Sequence, residues 1–329
     1  MSGEIRVGIR GTGSALPPKV LRNADFEKMI DTTDEWITTR TGIKERRIVG
    51  DGETTATLAT EAARRALDAA GMQPSDLDAI VVATVTPDNQ FPSTACKVQA
   101  ALGATRAGAF DISAACSGFL YGLNIGRSLI VARSARNVLV IGAETLSRIV
   151  DYTDRAACIL FGDGAGAAIL SHEFERGEVL PHRIYADGGG YEIMWLQAGG
   201  SAQRITPEAM AAGQHYLRIR GREVYKFAVS RFVELVQEQR AAHPGDALGL
   251  VIPHQVNLRI IESAREKLDI PMEQIFCNIE KYGNTSAASI GIALDEAVRT
   301  GAIDAARGKL VIFCAFGAGL TWASGALRW

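Results

Sequence analysis

The sequence predicts an α/β fold with a largely parallel sheet, built from two halves that repeat one pattern. Short runs rich in β-branched residues alternate with alanine-rich stretches along all 329 residues, as strands alternate with helices in this fold class. Hydrophobic residues make up 47% of the chain and charged residues 22%, which suffices to bury a large core. No low-complexity tract or Pro/Ser-rich linker interrupts the alternation.

The first half begins with a helix over 54–70, because its alanine-rich run ends at Gly71 and Pro74 follows. The elements predicted after it are strand 78–85, a helix ending at Gly103, strand AGAFDIS, a helix from about Cys116 to Ala132, strand NVLVIGAE, and two short strands, ACILF and GAAILS, joined by the loop GDGAG.

The second half repeats this order. Its predicted elements are the helix REVYKFAVSRFVELVQEQR, strand LGLVI (248–252), the helix NLRIIESAREKL, strand QIFCNI, the helix TSAASIGIALDEAV, strand KLVIFCAF, a GAG loop and the final strand TWASGALRW. A shared pattern of elements indicates an internal duplication. We therefore expect two related halves, 1–175 and 176–329, that pack as one body.

Charge and composition exclude several functions. The formal net charge is −2, so no global field favours nucleic acid or an anionic membrane. No apolar run approaches the roughly 20 residues of a membrane-spanning helix, and the N-terminus lacks the pattern of a signal peptide. We therefore expect a cytoplasmic protein without a nucleic-acid or membrane partner.

Metal and nucleotide sites have no support in the sequence. The five cysteines contain no CxxC pair and the five histidines no HExxH cluster, so no metal site is predicted. The loops GTGSAL (11–16) and GDGAGA (162–167) resemble dinucleotide fingerprints but lack the helix that must open there. The mixed-charge run KERR (44–47) is expected to lie in solvent.

Three polar residues follow predicted strands at one edge of the sheet, where ligand sites of parallel sheets lie. Cys116 begins a helix after a small-residue turn, and the positive end of the helix dipole is expected to lower its pKa. His254 follows strand LGLVIP, and Asn284 precedes a helix in the second half. Each has a structural alternative: a packed thiol, a helix-capping histidine and an N-cap asparagine. Together they resemble a set for covalent catalysis.

Long strings across nearly the whole chain resemble β-ketoacyl-acyl-carrier-protein synthase III, an initiating condensing enzyme with a thiolase-like fold. The strings are TDEWITTRTGIKER, FPSTACKVQAALG, DISAACSGF, DYTDRAACILFGDGAGAAIL, IPHQVNLRII, YGNTSAASIGIALDEA and FGAGLTW. The resemblance implies a layered α-β-α-β-α body. It also implies that a short acyl-CoA acylates Cys116 and that malonyl-acyl carrier protein (malonyl-ACP) then condenses with loss of CO₂, without metal or cofactor.

The resemblance assigns roles residue by residue. Cys116 is the nucleophile, and His254 and Asn284 stabilise the enolate. The oxyanion is held by the backbone N–H groups of Cys116 and Ala318, where the family often has Gly. Coenzyme A contacts fall on Trp36, Arg40, Arg155 and Asn257. Arg40 and Arg155 have a structural alternative as surface ion-pair residues near Asp34 and Asp154.

The same resemblance places Phe91 at the acyl pocket, across the interface of a homodimer, with an ordinary core aromatic as the alternative. Carrier-protein contacts fall on Gln255, Val256, Asn257, Leu258, Arg259, Lys226 and Lys267. Two departures weaken the docking patch: Val256 stands where the family usually has Ala, and Glu266 where it often has a base.

Two other functions compete with this one. A synthase-III-like enzyme of secondary metabolism would keep Cys116 but change the acceptor. A non-catalytic carrier-protein-binding protein would have no use for Cys116, His254 and Asn284 together.

Overall fold

The computed structural model describes residues 5–329. The helices are α1 (Asn23–Phe26), α2 (Asp34–Thr41), α3 (Thr55–Ala70), α4 (Thr94–Leu102), α5 (Gly118–Val131), α6 (Arg155–Cys158), α7 (Pro207–Ala211), α8 (Gly221–Ala242), α9 (Leu258–Leu268), α10 (Ile279–Tyr282) and α11 (Ala288–Arg299). Within these residues, no helix is both long and apolar enough to cross a bilayer.

The strands are β1 (Gly8–Ala15), β2 (Val20–Arg22), β3 (Glu45–Arg47), β4 (Ala79–Ala83), β5 (Gly108–Ile112), β6 (Asn137–Glu144), β7 (Gly164–Ser171), β8 (Glu178–Val179), β9 (Arg183–Ala186), β10 (Met194–Leu196), β11 (Leu217–Ile219), β12 (Leu248–Pro253), β13 (Leu310–Gly317) and β14 (Thr321–Arg328). Ten of them form one mixed sheet, while β2–β3 and β10–β11 form two separate two-stranded sheets.

The large sheet has the same strand order in both halves. In the first half, β5, β4, β6, β7 and β1 lie side by side. In the second half, Ile275 forms a single parallel bridge with β12 and takes the place of the outermost strand. Next to it lie β12, β13, β14 and β9, in this order. Numbered along the chain within each half, both run 3-2-4-5-1. This common order supports the division into 1–175 and 176–329, which stays a prediction.

Helices and sheet form five layers. Helices α3 and α4 cover the outer face of the first-half strands, and α8 packs on β13 and β14 with α9 beside it. Helices α5 and α11 lie between the halves, because α5 contacts β4, β6 and β14 while α11 contacts β7, β1 and β12. The two central helices are almost completely buried on the faces that carry Phe119, Leu123, Ile290 and Leu294. The predicted α/β class and α-β-α-β-α layering are confirmed. The prediction of a largely parallel sheet is wrong, because β7 and β14 return antiparallel beside β6 and β13 and pair antiparallel with β1 and β9 as well.

Both glycine loops serve close packing. A Cβ on Gly11 or Gly13 would lie 2.4 or 2.3 Å from the carbonyl oxygens of Ala66 and Ala62 on α3. A Cβ on Gly166 would lie 2.3 Å from the backbone of Gly291 on α11. These glycines therefore let helices rest directly on strands β1 and β7, which explains the glycine spacing without a nucleotide.

Two predicted strands are absent from the described residues. ACILF contains the end of α6, whose N-cap Asp154 accepts a hydrogen bond from the Ala156 N–H at 2.9 Å, and then a loop. QIFCNI pairs with β12 only at Ile275, because the chain turns into α10 directly afterwards. Both segments are apolar and buried, a pattern that strands share with packed loops.

The prediction that KERR lies in solvent is wrong for Arg46, which is fully buried. Its guanidinium donates to the Asn23 side chain at 2.7 Å and to the Ile159 carbonyl, and lies 4.5 Å from the Phe26 ring centroid. Burial lowers the pKa of Arg46 to about 10. This cation holds the loop after α6 in place, and that loop pairs with Asn284.

Candidate active site

Cys116 lies in a tight turn between β5 and α5. Residues Ala115–Ser117 form a single 3₁₀ turn, and the α-helix begins at Gly118. The small side chains before Cys116 permit this turn, in which Ala115 has a φ of +46°, a region that non-glycine residues rarely adopt. Strained backbone of this kind clusters at functional sites. The turn leaves the Cys116 side chain 5% exposed.

Burial dominates the acidity of the Cys116 thiol. Burial raises its pKa to about 12, and the charge of Glu144 adds to the increase, whereas hydrogen bonding from Ser286 opposes it. The net shift of the Cys116 pKa is therefore upward, against the predicted lowering by the helix dipole, because burial withdraws the sulfur from water. Attack by this sulfur requires that another group take its proton.

The glycine loop after β13 lies directly against Cys116. A Cβ on Gly317 would be 2.8 Å from the Cys116 nitrogen and 3.0 Å from its Cβ. The next residue, Ala318, is half-buried, and its carbonyl accepts from the Thr321 hydroxyl at 3.0 Å. No backbone group of residues 5–329 accepts a hydrogen bond from the Ala318 N–H. The loop thus brings the predicted oxyanion residues, Cys116 and Ala318, to adjoining positions.

His254 follows β12 and is completely buried. Its backbone N–H donates to the Cys314 carbonyl on β13 at 2.8 Å, and its Nδ1 lies 2.7 Å from the Ser289 hydroxyl on α11. Among residues 5–329, Nε2 has no partner. Burial lowers the pKa of His254 to about 3, so the ring is neutral. When Ser289 donates to Nδ1, Nε2 carries the hydrogen and is free to donate to a substrate oxygen.

Asn284 is positioned by its own backbone. Its N–H donates to the Leu160 carbonyl at 2.8 Å, and its carbonyl accepts from Gly162 at 3.1 Å. The side-chain Oδ1 accepts from the Ser286 N–H at 2.8 Å. These contacts leave the Nδ2 amide as the donor of this side chain.

The fold brings these residues to one place. Ser286 links Asn284 to Cys116, since its N–H donates to Asn284 Oδ1 and hydrogen bonding from Ser286 lowers the pKa of the Cys116 thiol. Gly317 contacts Cys116, and the preceding Phe316 packs edge-on against His254 with ring centroids 5.9 Å apart. The sheet edge predicted from the sequence therefore carries all three side chains.

A buried carboxyl beside this set was missed by the sequence analysis. Glu144 ends strand β6 and is completely buried. Its carboxylate accepts from the Thr86 hydroxyl at 2.6 Å and from the Ser286 hydroxyl at 3.2 Å. One feature of the sequence indicates this carboxyl: Glu144 is a charged residue at the end of the mostly apolar strand NVLVIGAE. Within residues 5–329, no group of three or more His, Cys, Asp or Glu side chains is arranged to hold a metal ion.

Comparison with known proteins agrees with this geometry. Residues 110–188 match the family "3-Oxoacyl-[acyl-carrier-protein (ACP)] synthase III", and residues 239–329 match its C-terminal model. A "Beta-ketoacyl-[acyl-carrier-protein] synthase III" of Caldanaerobacter subterraneus subsp. tengcongensis is 51% identical, with 100% of this chain and 99% of that protein covered. The chain belongs to the β-ketoacyl-ACP synthase III family.

Solved structures show the same fold. The crystal structure of 3-oxoacyl-[acyl-carrier-protein] synthase III from Aquifex aeolicus has a TM-score of 0.88 and 49% identity, covering 98% of this chain and 100% of that one. The priming β-ketosynthase from the R1128 polyketide biosynthetic pathway has a TM-score of 0.88 and 36% identity, covering 98% and 95%. The thiolase-like fold is thus confirmed, and the family comprises condensing acyltransferases.

A cavity of about 290 Å³ leads to Asn284, and its lining includes Trp36, Arg40, Val256 and Asn257. The guanidinium carbons of Arg40 and Arg155 lie 4.3 and 4.1 Å from the Trp36 ring centroid. Arg155 also lies 3.6 Å from Asp31, whereas Arg40 forms no ion pair within residues 5–329. Three of the residues predicted to bind coenzyme A, Trp36, Arg40 and Asn257, therefore line one opening, and Arg155 stacks on Trp36.

The predicted carrier-protein segment divides into buried and exposed residues. Gln255 is 1% exposed, its Nε2 donates to the Pro253 and Phe276 carbonyls, and its Oε1 accepts from the Asn278 N–H. The prediction that Gln255 meets a carrier protein is wrong, because these bonds hold it inside. Asn257 caps α9 and donates to the Arg40 carbonyl at 3.0 Å.

The rest of this segment forms a partly basic surface. Val256 and Leu258 are half-buried, whereas Arg259, Lys226 and Lys267 are exposed. Lys226 and Lys267 line one groove between α8 and α9. These three cations form no ion pair with the carboxylates of residues 5–329. We call Arg259, Lys226 and Lys267 the basic patch.

Phe91 stands out at the surface, with 87% of its area exposed. It precedes Pro92 and helix α4 in a segment far from a core position. The alternative interpretation of Phe91 as a core aromatic is therefore wrong for the single chain.

Proposed function

We propose that this protein performs the initiating condensation of fatty acid synthesis in two half-reactions at Cys116. In the first, the sulfur of Cys116 attacks the thioester carbonyl of a short acyl-CoA, such as acetyl-CoA. The new S–C bond forms as the bond to coenzyme A breaks, and the thiolate of coenzyme A leaves. The N–H groups of Cys116 and Ala318 stabilise the oxyanion.

In the second half-reaction, malonyl-ACP loses CO₂. The electron pair of the broken C–C bond forms an enolate, and its oxygen accepts hydrogen bonds from His254 Nε2 and the Asn284 amide. The enolate carbon then attacks the acyl-Cys116 thioester, which gives 3-oxoacyl-ACP and frees the cysteine. The observation that carries this proposal is a neutral, buried histidine with an unpartnered Nε2 beside a buried nucleophile.

Trp36, Arg40, Arg155 and Asn257 are proposed to hold coenzyme A at the cavity mouth. An aromatic ring and two guanidinium groups suit a planar base that carries phosphates. The chemistry assigned to the side chains requires no cofactor. Both substrates are cytoplasmic compounds, so the proposal includes a cytoplasmic location.

The direct test is a condensation assay with malonyl-ACP and a series of acetyl-, branched and longer acyl-CoA primers. The proposal expects CO₂ release and 3-oxoacyl-ACP with a short primer. Absence of condensation with every primer, although Cys116 becomes acylated, would contradict the proposed second half-reaction.

An alternative is a priming condensation in secondary metabolism. The observation in its favour is the similarity to the priming β-ketosynthase of the R1128 polyketide pathway. The same assay separates the two proposals, because a secondary-metabolism enzyme would prefer a different carrier protein as acceptor over the fatty acid synthesis carrier.

The basic patch is proposed to dock the acidic surface of the carrier protein. Arg259→Glu should raise the KM for malonyl-ACP at least about fivefold, since charges at the rim of an interface govern encounter. Acylation by acyl-CoA should not change. The measurement is steady-state kinetics at two salt concentrations, because the loss should shrink as salt screens the patch.

Arg106→Glu is the matched control. Arg106 is also exposed but precedes β5 and therefore lies at the opposite sheet edge from Cys116. An equal rise in KM for both variants would refute docking at the basic patch.

Phe91 is proposed to close the acyl pocket of a partner subunit in a homodimer. An exposed ring of this size is costly in water, about 1.5–3 kcal/mol relative to burial. Phe91→Thr should therefore widen the accepted chain length, measured as acylation rates with acyl-CoA substrates of increasing length. The surface variant Met272→Thr should leave the preference unchanged. An unaltered preference in Phe91→Thr would contradict the pocket role.

A further inference from the structure

Glu144 is a carboxyl group that neither half-reaction described above uses. It is completely buried, and no lysine or arginine within residues 5–329 pairs with it. Its partners are all neutral donors: the Thr84 hydroxyl at 3.2 Å, the Val85 N–H at 3.1 Å, the Thr86 hydroxyl at 2.6 Å and the Ser286 hydroxyl at 3.2 Å. An unpaired carboxyl in the interior is costly to keep. We therefore expect the Glu144 carboxyl to take part in the reaction at Cys116.

Ser286 connects Glu144 to the nucleophile. Its hydroxyl donates to Glu144 Oε1 at 3.2 Å. The next residue, Ala287, packs against the turn that carries Cys116, since a Cβ on Gly118 would lie 3.4 Å from the Ala287 Cβ, and hydrogen bonding from Ser286 lowers the pKa of the Cys116 thiol. Ser286 has a φ of +48°, and its N–H donates to Asn284 Oδ1. The positive φ fixes the backbone at Ser286, and its hydroxyl is directed to the Glu144 carboxylate.

His254 is poorly suited to take the thiol proton. Its pKa is lowered to about 3 by burial, and its Nδ1 already faces Ser289. The segments packed against Glu144 are 84–86, the turn at Ser286 and strand β7, where Gly164 pairs with Glu144. The titratable side chains beside these segments are the Cys116 thiol and, next to Gly164, the Asp163 carboxyl, which accepts from the Val49 and Ser147 N–H groups.

We propose that Glu144 accepts the Cys116 thiol proton through the Ser286 hydroxyl during acylation. The proposal rests on the proposed function for its substrate, an acyl-CoA thioester. As the sulfur attacks the carbonyl, its S–H bond breaks and the proton passes to the Ser286 oxygen. Ser286 passes its own proton to Glu144 Oε1. The electron pair of the broken C–S bond leaves on the thiolate of coenzyme A, which takes up the proton from Glu144 by way of Ser286 or from solvent.

The acid strength of Glu144 suits this exchange. Burial raises the pKa of Glu144 to about 7, and the four hydrogen-bond donors limit the increase. A group with this pKa accepts a proton readily above pH 7 and releases it again, as a proton carrier near neutral pH must. Below pH 7 the carboxyl is already protonated, so acylation should slow as the pH falls through this value.

A purely electrostatic role predicts the opposite result. The charge of Glu144 raises the Cys116 pKa, so removing that charge would by itself increase the thiolate fraction. Glu144→Gln therefore separates the two roles by the sign of its effect.

The experiment measures two rates across pH 5.5–9: acylation of Cys116 by acetyl-CoA and alkylation of Cys116 by iodoacetamide, both by mass spectrometry of the Cys116 peptide. Glu144→Gln should slow acylation at least about 10²-fold at pH 7.5 and abolish its rise near pH 7. Ser286→Gly should do the same while both ionisable groups remain, and glycine suits the positive φ. Asp295→Asn, in a buried carboxyl that accepts from Thr12, Ser14 and Arg299 instead, should keep the wild-type profile.

Faster or unchanged rates of alkylation and acylation in Glu144→Gln would overturn the proposal. So would an acylation rate that still rises near pH 7 in Glu144→Gln or Ser286→Gly. Alkylation requires no acyl-CoA. If the wild-type protein fails to react with acetyl-CoA, the proposed function fails, and slower iodoacetamide alkylation in both variants still supports the proton path.

Discussion

Replacing Cys116 by serine is expected to abolish the acyl-enzyme. The serine hydroxyl would lie in the same buried turn, 5% exposed, but it is a far weaker acid than a thiol and a poorer nucleophile when neutral. Loss of a covalent nucleophile costs enzymes at least about 10³-fold in rate. We therefore expect no mass increase when Cys116→Ser is incubated with acetyl-CoA, and no condensation with malonyl-ACP.

Cys96→Ser is the matched control for this prediction. Cys96 is the exposed thiol at the start of α4 and contacts none of the groups around Cys116. This control should acylate at the wild-type rate. A covalent acyl adduct on folded Cys116→Ser, localised by peptide mapping, would contradict the assignment of the nucleophile.

Removing either enolate donor is expected to separate the two half-reactions. His254→Ala and Asn284→Ala should still form the acyl-enzyme, because neither side chain touches the thiol through the contacts described above. Each variant should lose about 10²–10³-fold in malonyl-ACP decarboxylation, the usual cost of removing one donor to a developing oxyanion. Carbon dioxide release from malonyl-ACP measures this step.

Retained acylation serves as the test that each variant is folded. His254 is neutral at every pH above about 3, so decarboxylation by the wild-type protein should show no inflection from this histidine between pH 5 and 8. Condensation at the wild-type rate in either alanine variant would refute the donor role of that residue.

The two predictions above concern residues whose local sequence patterns, taken one at a time, indicate a catalytic role only weakly. Cys116 lies more than a hundred residues before His254 and Asn284 along the chain, yet each of the three follows a strand or precedes a helix at one sheet edge. Strand order carries them there, since β12 and β13 are neighbours and α11 lies between the halves. Helix periodicity and glycine stops were enough to predict α3, α5, α8, α9 and α11 to within a few residues.

The errors share a physical cause. ACILF and QIFCNI are apolar like strands. ACILF nevertheless forms the end of α6 and a loop, and QIFCNI pairs with β12 only at Ile275 before α10 begins. Arg46 carries a charge and so resembled a surface residue, whereas Asn23, Ile159 and Phe26 surround it inside. Gln255 is likewise polar and was predicted to contact the carrier protein, but three hydrogen bonds hold it in the interior. Such partners lie far away in the sequence and leave no local pattern.

The sequence by itself determined the fold class, the repeated order of elements and the family, because periodicity, turn residues and long motifs are local properties of the chain. Only the tertiary structure decided the state of the site. It showed that burial raises the pKa of the Cys116 thiol, that His254 is buried with Nε2 unpartnered among residues 5–329, and that the Glu144 carboxyl accepts a hydrogen bond from Ser286. A pKa depends on burial and on charges from distant segments, so these properties exist only once the two halves have packed together.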